Sequence, residues 1–317
     1  MNEINTAARP LAPDFAAITR EELLAYRDAE NRFRASPEMR AITGEPHQDA
    51  VITWQQIALP GRDLPVRVYR PRSTGDGDPG TALPLVIHVH GGGFVGTAVQ
   101  CDWTNSHLAA RLPAVVVSVE HRLLAHDSPL ANAVDDGWDV LDHVVRHAVR
   151  WGIDPARVAV FGESCGGLIS ALAAIRARDT GLDLAAQVLV NPAVDVSETM
   201  FDYPSIAEPT DSPGLNLPTL RLFQRLAIPT GTDGRVLSPL YANLDRLAPA
   251  LVVVPTRDPV ADHGRCYAEF LRAAGTDVQY TEYPDARHGF LAMPGVEPQA
   301  EPAQSEVLAF LRAALAK

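Results

Sequence analysis

The chain has 317 residues, of which 46% are hydrophobic and 21% charged, the balance of a globular protein with a large buried core. Its net charge of −12 speaks against nucleic acid as a partner. No apolar run approaches the roughly 20 residues that cross a bilayer, no basic-then-apolar leader opens the chain, and three cysteines without C-x-x-C spacing (Cys101, Cys165, Cys266) argue against a disulfide framework or a zinc site and for the cytoplasm.

The first dozen residues read as a loose arm. Thr19-Arg20-Glu21-Glu22 has the form of a capping box and predicts a helix to about residue 34. Leu23, Tyr26 and Phe33 fall near one face of it. A polar break at 44–49 follows. Residues 51–59 and 64–69 are rich in β-formers, and Pro60-Gly61-Arg62-Asp63 between them predicts an antiparallel hairpin. Residues 71–84 form a loop dense in Gly, Asp and Pro.

The pattern then changes. Residues 85–90, 114–119, 158–161, 187–190 and 251–254 are short apolar runs without strict alternation, as expected of strands buried on both faces. Helical stretches lie between them. The clearest is 130–150, with Ala133, Val134, Trp138, Leu141 and Val145 on one side. This alternation predicts an α/β protein with a mostly parallel sheet and helices on both faces. Residues 197–232, rich in Pro, Asp and Thr, interrupt it with a loop and a candidate helix at 217–225. A helix at 266–274, a last strand at 278–283 and a final helix at 305–316 complete the chain.

Two motifs carry chemistry. Gly162-Glu163-Ser164-Cys165-Gly166-Gly167 stands between the apolar run 158–161 and the helix formers 168–178, with the glycine spacing of a nucleophile elbow. A strand turning sharply into a helix strains the backbone at Ser164, and side chains at 162 and 166 would collide with their neighbours. The turn lifts the hydroxyl out of the sheet and leaves helix N–H groups free for a developing negative charge. The second motif, His90-Gly91-Gly92-Gly93-Phe94, ends the first buried strand. Three glycines bring backbone N–H groups close to a ligand. Acyl transfer needs such donors at its oxyanion, and loss of one costs on the order of 10²–10³ in rate. A flexible glycine turn is the bland alternative. Placement upstream of an elbow, at a strand's carboxyl end, favours the functional reading.

These motifs, with Asp258-Pro259-Val260-Ala261-Asp262-His263-Gly264 and His288-Gly289-Phe290, occur in the order found in the hormone-sensitive-lipase family of α/β-hydrolases, which the chain resembles. The resemblance implies Ser164 as nucleophile, Asp258 as acid and His288 as base. It implies an oxyanion hole from the N–H groups of Gly92, Gly93 and Cys165, with no cofactor and no metal. It further implies a cap built from residues 1–50 and 197–232 over a catalytic domain of 51–196 and 233–317, short acyl chains, and a homodimer through an edge strand. The chain departs from the family at Glu163, usually Asp, and Cys165, usually Ala. It also departs at His121-Arg122-Leu123-Leu124-Ala125-His126, where the family has Y-R-L-A-P-E. That segment normally buttresses the site, and the missing proline and glutamate leave its loop geometry open.

The residues agree with the resemblance. Ser, Asp, His is the α/β-hydrolase order. Asp258 lies just past a strand's carboxyl end, where such sheets present functional groups, and His288 lies just after the last strand. His288 would take the Ser164 proton while Asp258 fixes its tautomer. Other candidates are weaker. Asp262 rivals Asp258 as the acid. His88 reads as a satisfied core or surface residue and His263 as solvated. His143 and His147 have a metal-binding spacing without a third ligand. Asp135 and Asp136 read as partners in ion pairs or hydrogen bonds.

Three functions compete. The first is a hydrolase of small-molecule carboxylic esters acting through an acyl-enzyme. The second is an acyltransferase or cyclase that tailors a natural product with the same triad, supported by the unusual 121–126 segment. The third is a non-catalytic small-molecule-binding module on the same fold, opposed by the presence of all three triad residues.

Overall fold

A computed structural model describes residues 9–72, 82–208, 212 and 215–316. In chain order the helices are α1 (Arg20–Arg34), α2 (Arg40–Thr43), α3 (Asp102–Arg111), α4 (Leu130–Arg146), α5 (Ala148–Trp151), α6 (Cys165–Thr180), α7 (Pro204–Ala207), α8 (Leu217–Ala227), α9 (Ala261–Ala273) and α10 (Ala300–Leu315). The strands are β1 (Ala50–Leu59), β2 (Arg62–Pro71), β3 (Leu83–Val89), β4 (Val115–Val119), β5 (Ile153–Glu163), β6 (Ala186–Val190), β7 (Ala250–Arg257) and β8 (Val278–Arg287). They form one sheet in the order β1-β2-β4-β3-β5-β6-β7-β8.

The expected hairpin is β1–β2, with Leu59 opposite Arg62 and Gly61 in the left-handed region at φ +76°. β2 also runs antiparallel to β4, and the pairs from β4 through β8 are parallel. The continuous apolar runs follow from helices on both faces. Leu85, Ile87 and Val89 of β3 pack with α4 and α6 residues, while Val86 packs on the opposite side with residues of α3 and α10. Full burial of each such side chain contributes about 1.5–3 kcal/mol.

Several boundaries differ from expectation. The helix expected over 130–150 divides at His147, whose backbone leaves the helical region. Residues 102–111 form a helix that periodicity did not single out. The helix expected at 266 starts at Ala261 and carries His263-Gly264 in its first turn. Glycine is a poor helix former, but tertiary packing needs it here: a Cβ on Gly264 would lie 2.6 Å from Val254 Cγ2. The final helix starts at Ala300, and β8 runs on to Arg287.

The α1 capping box forms as expected, with Thr19 Oγ1 accepting the Glu22 N–H. Within 197–232, α8 has its own capping box from Asn216 and Thr219. Arg27 of α1 donates to the carbonyls of Phe94 and Leu124, and Arg225 of α8 donates to the Phe15 carbonyl. These bonds tie both helices to the chain near the glycine loop. Residues 1–8 of the expected arm, 73–81 of the expected loop, and 209–211 and 213–214 of the insertion lie outside the described residues. Among the described residues no helix is long and apolar enough to cross a membrane.

Candidate active site

Ser164 sits between β5 and α6 at φ 55°, ψ −119°, a conformation that costs a non-glycine residue on the order of 1–3 kcal/mol. The surroundings enforce it. The Ser164 N–H donates to the Val190 carbonyl at 3.0 Å, and its own carbonyl accepts from Leu168 and Ala193 N–H groups. The two motif glycines are required by contact. A Cβ on Gly162 would lie 2.0 Å from the Gly166 carbonyl oxygen, and one on Gly166 would lie 2.0 Å from the Val89 carbonyl oxygen.

The three expected triad residues meet. His288 follows β8 directly and places Nε2 2.8 Å from Ser164 Oγ and Nδ1 2.8 Å from Asp258 Oδ2. Asp258 follows β7, is buried, and accepts the Val260 N–H on Oδ1 at 2.9 Å. A buried carboxylate on Nδ1 holds the proton there, so Nε2 presents its lone pair to the serine hydroxyl. The rival Asp262 is engaged elsewhere, accepting from the Ser205 N–H and Arg265. Ser212 escaped sequence reasoning. Its hydroxyl accepts the His288 N–H at 3.1 Å and donates to the Arg257 carbonyl at 2.8 Å. An isolated serine in a proline-rich loop carries no signal for that role.

The glycine loop lies against Ser164, so that a Cβ on Gly91 would stand 3.2 Å from Ser164 Cβ. Its carbonyls are already engaged: Gly92 accepts from Val95 N–H, Gly93 from Leu124 N–H, and Gly91 from the Gln100 side-chain amide. Gly92 and Gly93 have φ +109° and +39°. The loop lies beside the first turn of α6, where Cys165 stands. Burial pushes the Cys165 thiol up to about 12, against a smaller lowering by the Gly93 N–H.

The 121–126 segment, whose geometry the lost proline and glutamate left open, braces this loop. Leu124 N–H holds the Gly93 carbonyl. The His121 ring stacks on His90 at 4.3 Å, and Nε2 of His121 lies 3.3 Å from the His90 carbonyl oxygen. Arg122 is anchored on buried Asp136, which Arg62 also reaches. Asp136 is thus an ion-pair residue as expected, and Asp135 pairs with Arg176.

Two histidines differ from their reading. His263 is buried rather than solvated, because the early start of α9 turns it inward against Tyr203 and the Met200 carbonyl. His88 is buried but incompletely satisfied, since its Nε2 has no hydrogen-bond partner among the described residues. His143 and His147 stack on each other, with the His143 carbonyl 2.7 Å from His147 Nδ1.

A cavity of about 500 Å³ opens above Ser164 and His288. Phe33, Ile42, Leu220, Phe223 and Met293 give it an apolar lining, and Glu30, Arg34 and Arg287 add charge. A cavity of this size holds a small ligand.

A protein family with the alpha/beta hydrolase fold matches residues 86–292. The chain is 38% identical over 264 residues to carboxylesterase NlhH of Mycobacterium tuberculosis, covering 80% of this chain and 79% of that protein. It is 34% identical over 250 residues to an ethyl acetate hydrolase of Pseudomonas putida, covering 76% of each. A solved ester hydrolase from the metagenome of Lake Arreo, in complex with a bipyridine phosphonate derivative, superposes with a TM-score of 0.84 at 29% identity, covering 96% of this chain and 94% of that one.

Proposed function

Because the chain belongs to the hormone-sensitive-lipase-like family of α/β-hydrolases and is a serine carboxylic-ester hydrolase, we propose that Ser164 is its nucleophile, Asp258 its acid and His288 its base. The observation that carries this reading is the unbroken chain from Ser164 Oγ through His288 to Asp258, with 2.8 Å at both links. His288 Nε2 takes the hydroxyl proton as Ser164 Oγ attacks the ester carbonyl. The carbonyl oxygen becomes an oxyanion held by the N–H groups of Gly92, Gly93 and Cys165. Collapse breaks the ester C–O bond, and the imidazolium returns the proton to the departing alkoxide. Water, deprotonated by the same imidazole, then releases the acid. Neither a metal nor a cofactor enters these steps.

The segments around α1 and α8 act as the cap, and short acyl chains suit the modest cavity between them and the sheet. The ethyl acetate hydrolase among the relatives supports that size class. The same reading expects a cytoplasmic homodimer paired through an edge strand, β1 or β8, which sedimentation tests.

Mass spectrometry during turnover of a slow p-nitrophenyl ester tests the mechanism. An acyl group on the peptide bearing Ser164 is expected. An adduct on another residue, with Ser164 free throughout turnover, overturns the reading.

A further inference from the structure

Three buried side chains that the hydrolytic reading does not use converge beneath the elbow. His88 comes from β3, Cys101 ends the 3-10 turn Ala98–Cys101 after the glycine loop, and Glu163 is the last residue of β5. His88 Nε2 lies 3.5 Å from Glu163 Oε1, and Cys101 Sγ lies 3.7 Å from the same oxygen. The ligand atoms of all three residues lie within 4.8 Å of one another.

The Cys101–Glu163 contact is an ordinary S–H···O hydrogen bond, but the His88–Glu163 separation needs a cause. At 3.5 Å the His88–Glu163 contact is too long for a normal N–H···O hydrogen bond. His88 Nε2 is thereby orphaned in a fully buried position, a state that native interiors rarely tolerate. The two separations from Glu163 Oε1, 3.5 and 3.7 Å, are close to those around a tetrahedral ion. With Zn–N and Zn–O of about 2.0–2.1 Å and Zn–S of about 2.3 Å, ligand atoms stand roughly 3.3–3.7 Å apart.

The rest of His88 suits a ligand. Nδ1 lies 2.9 Å from Ser118 Oγ and 3.1 Å from the Asn105 side-chain nitrogen, while Asn105 Oδ1 has no partner. Turning that amide over sets Oδ1 on an Nδ1–H. A proton on Nδ1 leaves the Nε2 lone pair facing Glu163 and Cys101, the arrangement that orients metal-binding histidines. Phe161 meets the ring edge-on at 4.8 Å and limits its rotation. Glu163 and Gln100 line the main cavity, which provides a route inward.

We propose that His88 Nε2, Cys101 Sγ and Glu163 Oε1 form a site for one thiophilic divalent cation of the zinc class, with water as fourth ligand. On binding, the Cys101 thiol gives its proton to solvent, three protein–metal bonds form, and no electron is transferred. The ion ties β3, the return from the glycine loop and β5 together behind Ser164. It touches none of the triad side chains, so its role is structural. The site stands independently of the esterase reading, because its test needs no turnover.

The test uses full-length protein stripped with a chelator and dialysed against Zn²⁺ or Co²⁺. One Zn²⁺ per chain by elemental analysis is expected, with a higher melting temperature, and Co²⁺ should give near-ultraviolet thiolate-to-metal absorption. Cys101→Ser and His88→Ala should lose that absorption and bind Zn²⁺ at least about 100-fold more weakly, because even an outer hydrogen-bond partner of a metal ligand is worth about 10–100-fold. Cys266→Ser should bind as the parent does. Should either loss variant misfold by circular dichroism, Glu163→Gln serves as the milder change and should also weaken binding. Absence of stoichiometric metal in the parent, or thiolate absorption that survives Cys101→Ser, overturns the proposal.

Discussion

His90 and His121 stack face to face beneath the glycine loop, with ring centroids 4.3 Å apart and planes inclined by 20°. Burial lowers both from the ordinary value of 6.5 to about 4; His88 and Arg34 lower His90 further, and His90 lowers His121. Unfolded, each ring takes up a proton near pH 6.5; folded, each stays neutral until about pH 4.

Acid therefore favours the unfolded chain. The stability contributed by the neutral pair is fully present above about pH 6.5 and lost as pH falls through about 4. At about 1.4 kcal/mol per pKa unit the loss is on the order of a few kcal/mol. Urea midpoints measured across this range should fall steeply, and His121→Tyr, which restores the family's residue, should flatten the fall. A profile identical in the variant would show that other groups set the acid limit.

Asp258→Asn should lower kcat by about 10³–10⁴, because the amide no longer holds His288 in the productive tautomer. Asp262→Asn should stay within a few-fold of the parent, since Asp262 faces Ser205 and Arg265. Kinetics on p-nitrophenyl butyrate decide it, and the reverse ranking would exchange the two roles.

Cys165 adjoins Ser164 at a helix N-terminus, where thiols are often activated. Burial has the opposite effect here, pushing it up to about 12. Cys165→Ala should retain most activity, because alanine supplies the same backbone N–H. Ser164→Ala should retain almost none. A fluorophosphonate probe should label the first variant and leave the second unlabelled.

Phe223 of α8 sits on the glycine loop, its ring 2.6 Å from where a Cβ on Gly93 would stand. Phe223→Ala should therefore open the cavity and move the preferred acyl length upward by several carbons, with a smaller effect on acetate esters. An unchanged acyl-length profile would place the acyl pocket away from α8.

What the sequence determines by itself is local. The apolar runs mark strands buried on both faces, the capping box at Thr19 starts α1, and the elbow glycines stand where any side chain would meet backbone. Such features depend on periodicity, chirality and close contact along a few residues, so they are legible without coordinates. The order of Ser164, Asp258 and His288 is likewise written in the chain.

Tertiary structure places the contact that the motif could only favour: Asp258 turns toward His288, while Asp262 turns toward Ser205 and Arg265. It decides that Ser212 braces His288, that His263 points inward, and that β8 runs far enough to deliver His288 to Ser164. It also brings Cys101 and Glu163 together from positions 62 apart in sequence. The physical reason is common to all of these. Burial and contact between distant segments overcome local preferences of a few tenths of a kcal/mol per residue, and a one-dimensional pattern carries no record of which segments will meet.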